Sequence, residues 1–231
     1  MKTIIVCLFS LILVFVSTAV NADMLLEVSG GSDGGNLSIG TSIIDSSVYG
    51  QWLGIGFSLS QAYNNVSITP TLGYHYLFGD FHGTAWLTTD LPTSAPALAS
   101  STFSLTGDST PAPITLLSGL NLESGSYYFL ITGNPDGSGY SGEAVWPNLV
   151  GSSLSTGVGV TAGTLSFVGT GMVFDLIYPP NSGWYTYGPG NPLTVAIQIT
   201  GSPVPEPATL LLLGTGLVGL AGFGRKKLLR N

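Results

Sequence analysis

Apolar residues alternate with small or polar ones along much of the chain, at the two-residue period of a β-strand. Leu53, Ile55, Phe57 and Leu59 alternate with Gly54, Gly56, Ser58 and Ser60, as in a half-buried strand. Leu193, Val195, Ile197 and Ile199 alternate in the same way with Thr194, Ala196, Gln198 and Thr200. Tyr127, Phe129 and Ile131 make a third clear case. Further strands are predicted near 25–29, 37–44, 64–69, 72–78, 84–89, 101–105, 114–120, 158–168 and 171–178. Turn clusters punctuate these runs at Gly30–Gly35, Asn134–Gly137 and Pro179–Gly183. No amphipathic helix pattern competes between 23 and 203. Many short strands with Gly/Pro turns predict an all-β domain, an antiparallel β-sandwich of jelly-roll-like arrangement. No repeat of fixed period points to a solenoid.

The two ends of the chain break this pattern. Residues 1–22 read as a secretory signal peptide: Lys2 supplies the positive start, Ile4–Val16 the apolar run, and Val20-Asn21-Ala22 the small residues a signal peptidase reads. Cleavage is expected between Ala22 and Asp23. Cys7, the single cysteine, lies inside the apolar run. It comes too early, after the bulky Ile5-Val6, for a lipoprotein acylation site, and its removal leaves a mature chain without disulfides.

At the other end, Ala208–Gly224 is a 17-residue stretch without a charge, followed at once by Arg225, Lys226 and Lys227. At about 1.5 Å per residue a helix of this length spans ~25 Å, near the lower limit for crossing a bilayer. The basic cluster should stay cytoplasmic and act as the stop that orients the span, leaving the β-domain outside. Pro205 and Pro207 flank Glu206 just before the span. Each proline fixes φ near −65° and pushes its predecessor to extended geometry, so the strip is stiff and presents one carboxylate at the membrane face.

Charge sharpens the picture of the middle segment. The chain has 5 Lys and Arg against 12 Asp and Glu, a net charge of −7. All the basic residues lie at the ends, so the span from Asp23 to Pro203 contains no Lys or Arg at all. An acidic surface without cations repels phosphate backbones, and nucleic acid is excluded as a partner.

Val204-Pro205-Glu206-Pro207, a short Leu/Gly-rich helix and a basic cluster, in that order, resemble the PEP-CTERM sorting signal of Gram-negative bacteria, a segment also called the ice-binding-protein C-terminal domain. The resemblance covers 204–231. It implies that Val204, Pro205, Glu206 and Pro207 form the recognition element for an exosortase, a membrane enzyme that would act on this chain as its substrate. It also implies residence beside exopolysaccharide or biofilm machinery. Within the β-segment, Gln51–Ser60, Gly119–Leu122, Gly125–Leu130 and a later Trp146 are similar to choice-of-anchor domains, which are borne by several alternative anchors. That resemblance implies a β-sandwich and no established ligand.

Three familiar catalytic or phosphate-binding patterns occur without their structural context. Gly30-Gly31-Ser32-Asp33-Gly34 matches G-x-S-x-G, but no helix follows to make a nucleophile elbow. Gly137–Gly142 and Gly214–Gly219 match G-x-G-x-x-G, which binds a pyrophosphate only at the start of a helix that follows a strand. His75, Asp80 and His82 can be imagined as a metal set or as a solvated hairpin. The loop from Asp136 to Glu143 could wrap calcium, although it lacks the alternating ligands of an EF-hand. Of the aromatics, Trp184, Tyr185 and Tyr187 lie between Gly/Pro turns and are the candidates for stacking on sugar rings. Trp52, Trp86 and Trp146 are as well explained by core packing.

Together these readings describe an exported, non-enzymatic protein of the cell envelope or extracellular matrix. Its domain is expected in the periplasm, tethered to the inner membrane, and at the cell surface or beyond after exosortase processing. A carbohydrate-binding module for surface polysaccharide is the alternative. A hydrolase finds no placeable nucleophile, base or carboxylate pair, and ice binding finds no regular threonine array.

Overall fold

A computed structural model describes residues 22–44, 47–74, 80–90, 97–107, 110–134, 140–170, 185–186, 195–204 and 213–219. The strands in chain order are β1 (Asp23–Ser29), β2 (Ser32–Ile44), β3 (Ser47–Leu59), β4 (Tyr63–Tyr74), β5 (Phe81–Thr88), β6 (Ala99–Leu105) and β7 (Ala112–Pro113). They continue with β8 (Leu117–Leu122), β9 (Gly125–Gly133), β10 (Tyr140–Val150), β11 (Ser153–Thr156), β12 (Val160–Thr170), β13 (Tyr185–Thr186) and β14 (Ile197–Pro203). Every pairing is antiparallel, so the all-β antiparallel expectation is met.

The strands follow one hydrogen-bonded path, β11-β1-β14-β4-β10-β2-β3-β9-β5-β6. Its first part, with β8 joined to β4, forms one layer. From β10 onward, with β12 on the free side of β3, it forms the other. The layers meet where the last residues of β4, Gly73 and Tyr74, pair with Val145 and Ala144 of β10, so the sheet curls into a half-barrel around its core.

The alternation seen in the sequence sets what faces that core. Leu53, Ile55, Phe57 and Leu59 of β3 are buried with Tyr127, Phe129 and Ile131 of β9 and Phe81, Ala85 and Leu87 of β5. From the other layer they meet Leu26 and Val28 of β1, Ile197 and Ile199 of β14, and Val66, Ile68 and Leu72 of β4. Each of the Val, Leu, Ile and Phe side chains among them contributes about 1.5–3 kcal/mol on burial. Trp146 in β10 is fully buried and donates its indole N–H to the Ala196 carbonyl at 2.8 Å, while its ring meets Phe129 edge-on at 6.1 Å. Tyr127 turns its hydroxyl back to donate to the Glu123 carbonyl at 2.7 Å, fixing the β8–β9 turn.

Two expected strands, 64–69 and 72–78, are one element as far as Tyr74, because β4 runs straight through Pro70. The carbonyl of Pro70 accepts from Ile114 at 2.9 Å. The proline's missing donor therefore points to the side where the neighbouring chain is broken between β7 and β8, and no ladder bond is lost there. For the same reason the strand expected from 114 begins only at Leu117. The expected strand 171–178 and Leu193 lie outside the described residues.

Candidate functional site

Two places in this fold bear on function: the pole where the chain ends enter and leave, and the outer face of the β3–β9–β5–β6 layer. At the pole, Ala22 and Asp23 are exposed where the chain enters β1, and Asp23 pairs with Gly201 near the end of β14. The expected signal-peptidase junction and the exit to the sorting segment are therefore neighbours across one ladder. Turns 60–62, 123–124 and 157–159 surround them. Ser60 donates its N–H to Gly159 at 2.8 Å, Gly157 to Leu25 at 2.9 Å, and the Tyr63 hydroxyl to the Val158 carbonyl at 2.7 Å. Pro203 pairs with Tyr63, and the N–H of Val204 donates to the Ala62 carbonyl at 2.9 Å. Val204, the first residue of the expected motif, is thus tied to the domain by its own backbone.

Pro205, Glu206 and Pro207, the basic Arg225, Lys226 and Lys227, and the leader before Ala22 lie outside the described residues. Within the expected span 208–224 a helix, α1, is described at 213–219, with Leu213 and Val218 exposed. Among the described residues no helix is long and apolar enough to cross a membrane.

The second place is built by the other phase of the same strands. In β5, Phe81, Ala85 and Leu87 point inward, so His82, Thr84, Trp86 and Thr88 point out. In β9 the outward set is Ser126, Tyr128, Leu130 and Thr132, and in β6 it is Ser100, Thr102 and Ser104. Register brings them side by side. Ser126 stands opposite Ser58, Tyr128 between Gly56 and Thr88, Leu130 between Gly54 and Trp86, and Thr132 beside Thr84. Beyond them Trp86 faces Ser100, Thr84 faces Thr102 and His82 faces Ser104.

Hydrogen bonds within the layer hold this face in one arrangement. The Trp86 indole N–H donates to Thr132 Oγ1 at 3.0 Å, and the Asn134 amide donates to Thr84 Oγ1 at 2.6 Å. Ser58 and Ser126 share a hydrogen bond at 2.9 Å, as do His82 Nδ1 and Ser104 Oγ at 2.9 Å. Trp86 and Tyr128 remain half-buried, whereas Leu130 between them is fully covered.

The sequence-derived candidates fare differently. Tyr185 lies in β13 and pairs with Phe167 of β12, while Trp184 and Tyr187 are outside the described residues, as is His75. His82 is committed to Ser104 and Asp80 is exposed just before β5. Among the described residues no three His, Cys, Asp or Glu side chains gather as a metal set. Of the proposed calcium loop, 135–139 is outside the described residues, and Glu143 is only 3% exposed inside β10. Ser32 of the G-x-S-x-G pattern opens a strand, where an elbow would need a helix. Gly142 adopts φ +72° with its backbone against Phe81, a packing role rather than a phosphate cradle. The diagonal placement of Trp86 and Tyr128 on the outer face leaves no trace in the apolar alternation. Its signal was the hydroxyl-rich alternate phase of β5, β6 and β9.

Comparison with protein families matches residues 203–226 to the PEP-CTERM protein-sorting motif. No curated protein matches the chain, and no solved structure matches it. The chain carries a PEP-CTERM sorting signal, which marks it for export and membrane-associated sorting with an exosortase as processing partner.

Proposed function

We propose that this protein is a non-enzymatic component of the bacterial envelope or extracellular matrix, held transiently at the inner membrane by its 208–224 segment and released or transferred by an exosortase acting at Pro205-Glu206-Pro207. The observation that carries the reading is the sorting motif at 203–226, entered directly from β14 with Val204 bonded to Ala62. Four steps of extended chain from Val204 to Ala208 reach at most about 14 Å. An apolar segment seated in the bilayer would therefore keep the pole of the domain close to the headgroups. Val158, 90% exposed at the tip of the 157–159 turn, lies at that same pole and suits an interfacial position. The placement of both junctions at one pole supports the same orientation, since the leader and the sorting segment would approach one membrane from one side. Residence beside exopolysaccharide belongs to this reading.

The test is the C-terminal mass of the mature protein in cells with and without the exosortase. Loss of the segment beyond the motif in the enzyme-containing strain alone is expected. An intact Asn231 in both strains would overturn the processing, and a Glu206→Ala variant processed like wild type would remove the recognition role of that carboxylate.

A further inference from the structure

We propose that the outer face of β9, β5 and β6 is a binding site for an uncharged polysaccharide, with Trp86 and Tyr128 as stacking platforms and the surrounding hydroxyls as hydrogen-bond partners. This site stands on its own geometry and does not depend on how the chain is sorted.

The shape of the face comes from glycine. A Cβ placed on Gly56 would lie 3.3 Å and 3.5 Å from Cε1 and Cδ1 of Tyr128, so the phenol ring leans over the bare backbone of β3. Gly163 of β12 comes within 3.9 Å of the same point and extends this floor. A Cβ on Gly54 would likewise strike the Leu130 side chain, which leans over β3 beside Tyr128. The Tyr128 ring is half-buried against this floor, and Leu130 and Thr88 beside it are fully covered. Trp86 is diagonal to Tyr128 across the β5–β9 ladder, a separation of ~7–8 Å, near enough for both rings to serve one oligosaccharide. Its indole is held by Thr132, so its orientation is set before any ligand arrives.

The chemistry around the rings selects the ligand class. A pyranose has an apolar C–H face that stacks on an aromatic ring and a rim of hydroxyls that both donate and accept. Ser58, Ser126, Ser100, Thr102 and Ser104 offer matching two-way groups on the exposed part of this face. No Lys or Arg exists between Asp23 and Pro203 to hold an anionic polymer. Among the described residues the face also carries no carboxylate for a cationic one: Asp80 and Asp90 lie beyond the two ends of β5. A neutral glycan is the polymer that this surface complements.

Affinity electrophoresis of the full-length protein in mild detergent tests the site, with a soluble neutral β-glucan, a galactomannan and a xylan as probes and alginate as the anionic counterpart. Retardation by at least one neutral polymer and none by alginate is expected. Trp86→Ala and Tyr128→Ala should each weaken it about tenfold. Thr102→Asp, which leaves both rings in place, should weaken it in neutral gels through the charge placed beside Trp86. Thermal unfolding of each variant separates loss of binding from loss of fold. Wild-type protein unretarded by all three neutral polymers would overturn the proposal, as would folded ring variants retarded like wild type. Self-association that these variants abolish, with no retardation by any glycan, would assign the face to a second copy of the chain and equally overturn it.

Discussion

Truncation of Trp146 gives the most direct quantitative test of how the two layers are joined. The indole is fully buried, meets Phe129 edge-on at 6.1 Å, and reaches from β10 across to Ala196 at the entry to β14 with a 2.8 Å hydrogen bond. The Ala196 carbonyl has a second donor, the N–H of Thr71 at 2.9 Å. Loss of the indole N–H therefore does not orphan it, and packing should dominate the cost. Trp146→Ala is expected to destabilise by about 3–5 kcal/mol. Trp146→Phe keeps most of the ring and loses one neutral hydrogen bond and part of the fill, about 1–2 kcal/mol. For a domain of this size each kcal/mol moves Tm by roughly 2–4 °C, so the alanine variant should melt roughly 6–20 °C below wild type and the phenylalanine variant roughly 2–8 °C below. Thermal melts followed by circular dichroism, with urea midpoints at unchanged m, measure both. An alanine variant within about 1 kcal/mol of wild type would show that this ring does not hold the layers together. Equal losses in the two variants would shift the weight from packing to the hydrogen bond.

Other expectations rest on single groups. Burial pushes the Tyr127 phenol above its ordinary value, and the negative charge of Glu123 adds to the shift. Above pH ~10 the unfolded chain has released this proton while the folded one still holds it, so stability falls as pH rises through that window. Tyr127→Phe should flatten that alkaline decline in urea titrations between pH 8 and 11, and a decline of unchanged slope would refute the assignment. Gly142→Ala combines φ +72° with a Cβ forced against Asp80 and Phe81, and should cost about 2–5 kcal/mol. Gly30→Ala, at φ +69° with open space around it, should cost only about 1–2 kcal/mol. Similar melting temperatures for the two variants would sink the steric part of this argument.

The inward phase of the sandwich was legible because burial leaves a period-2 signature: Leu53, Ile55, Phe57 and Leu59, Tyr127, Phe129 and Ile131, and Ile197 and Ile199 all face the core. What the pattern could not resolve was continuity. Pro70 reads as a strand breaker until its neighbour is known to be interrupted at 114–116, and that is a fact of pairing between segments far apart in sequence. The sorting motif was legible for a different reason, being a short local sequence whose signature needs no tertiary pairing. The outer face was hidden because a half-exposed Trp86 and a fully buried Trp146 look alike as letters. Only the register of β5 against β9 brings Trp86 next to Tyr128.

The position of β14 has a mechanical consequence. The strand that leads to the sorting segment lies inside its sheet, bonded along one side to β1 and along the other to β4. Tension applied through the segment pulls β14 along its own axis, so the rungs of both ladders bear load together and cannot be opened one at a time. A protein that is tugged at the cell surface, or drawn through a processing enzyme, would transmit that force into the middle of its fold.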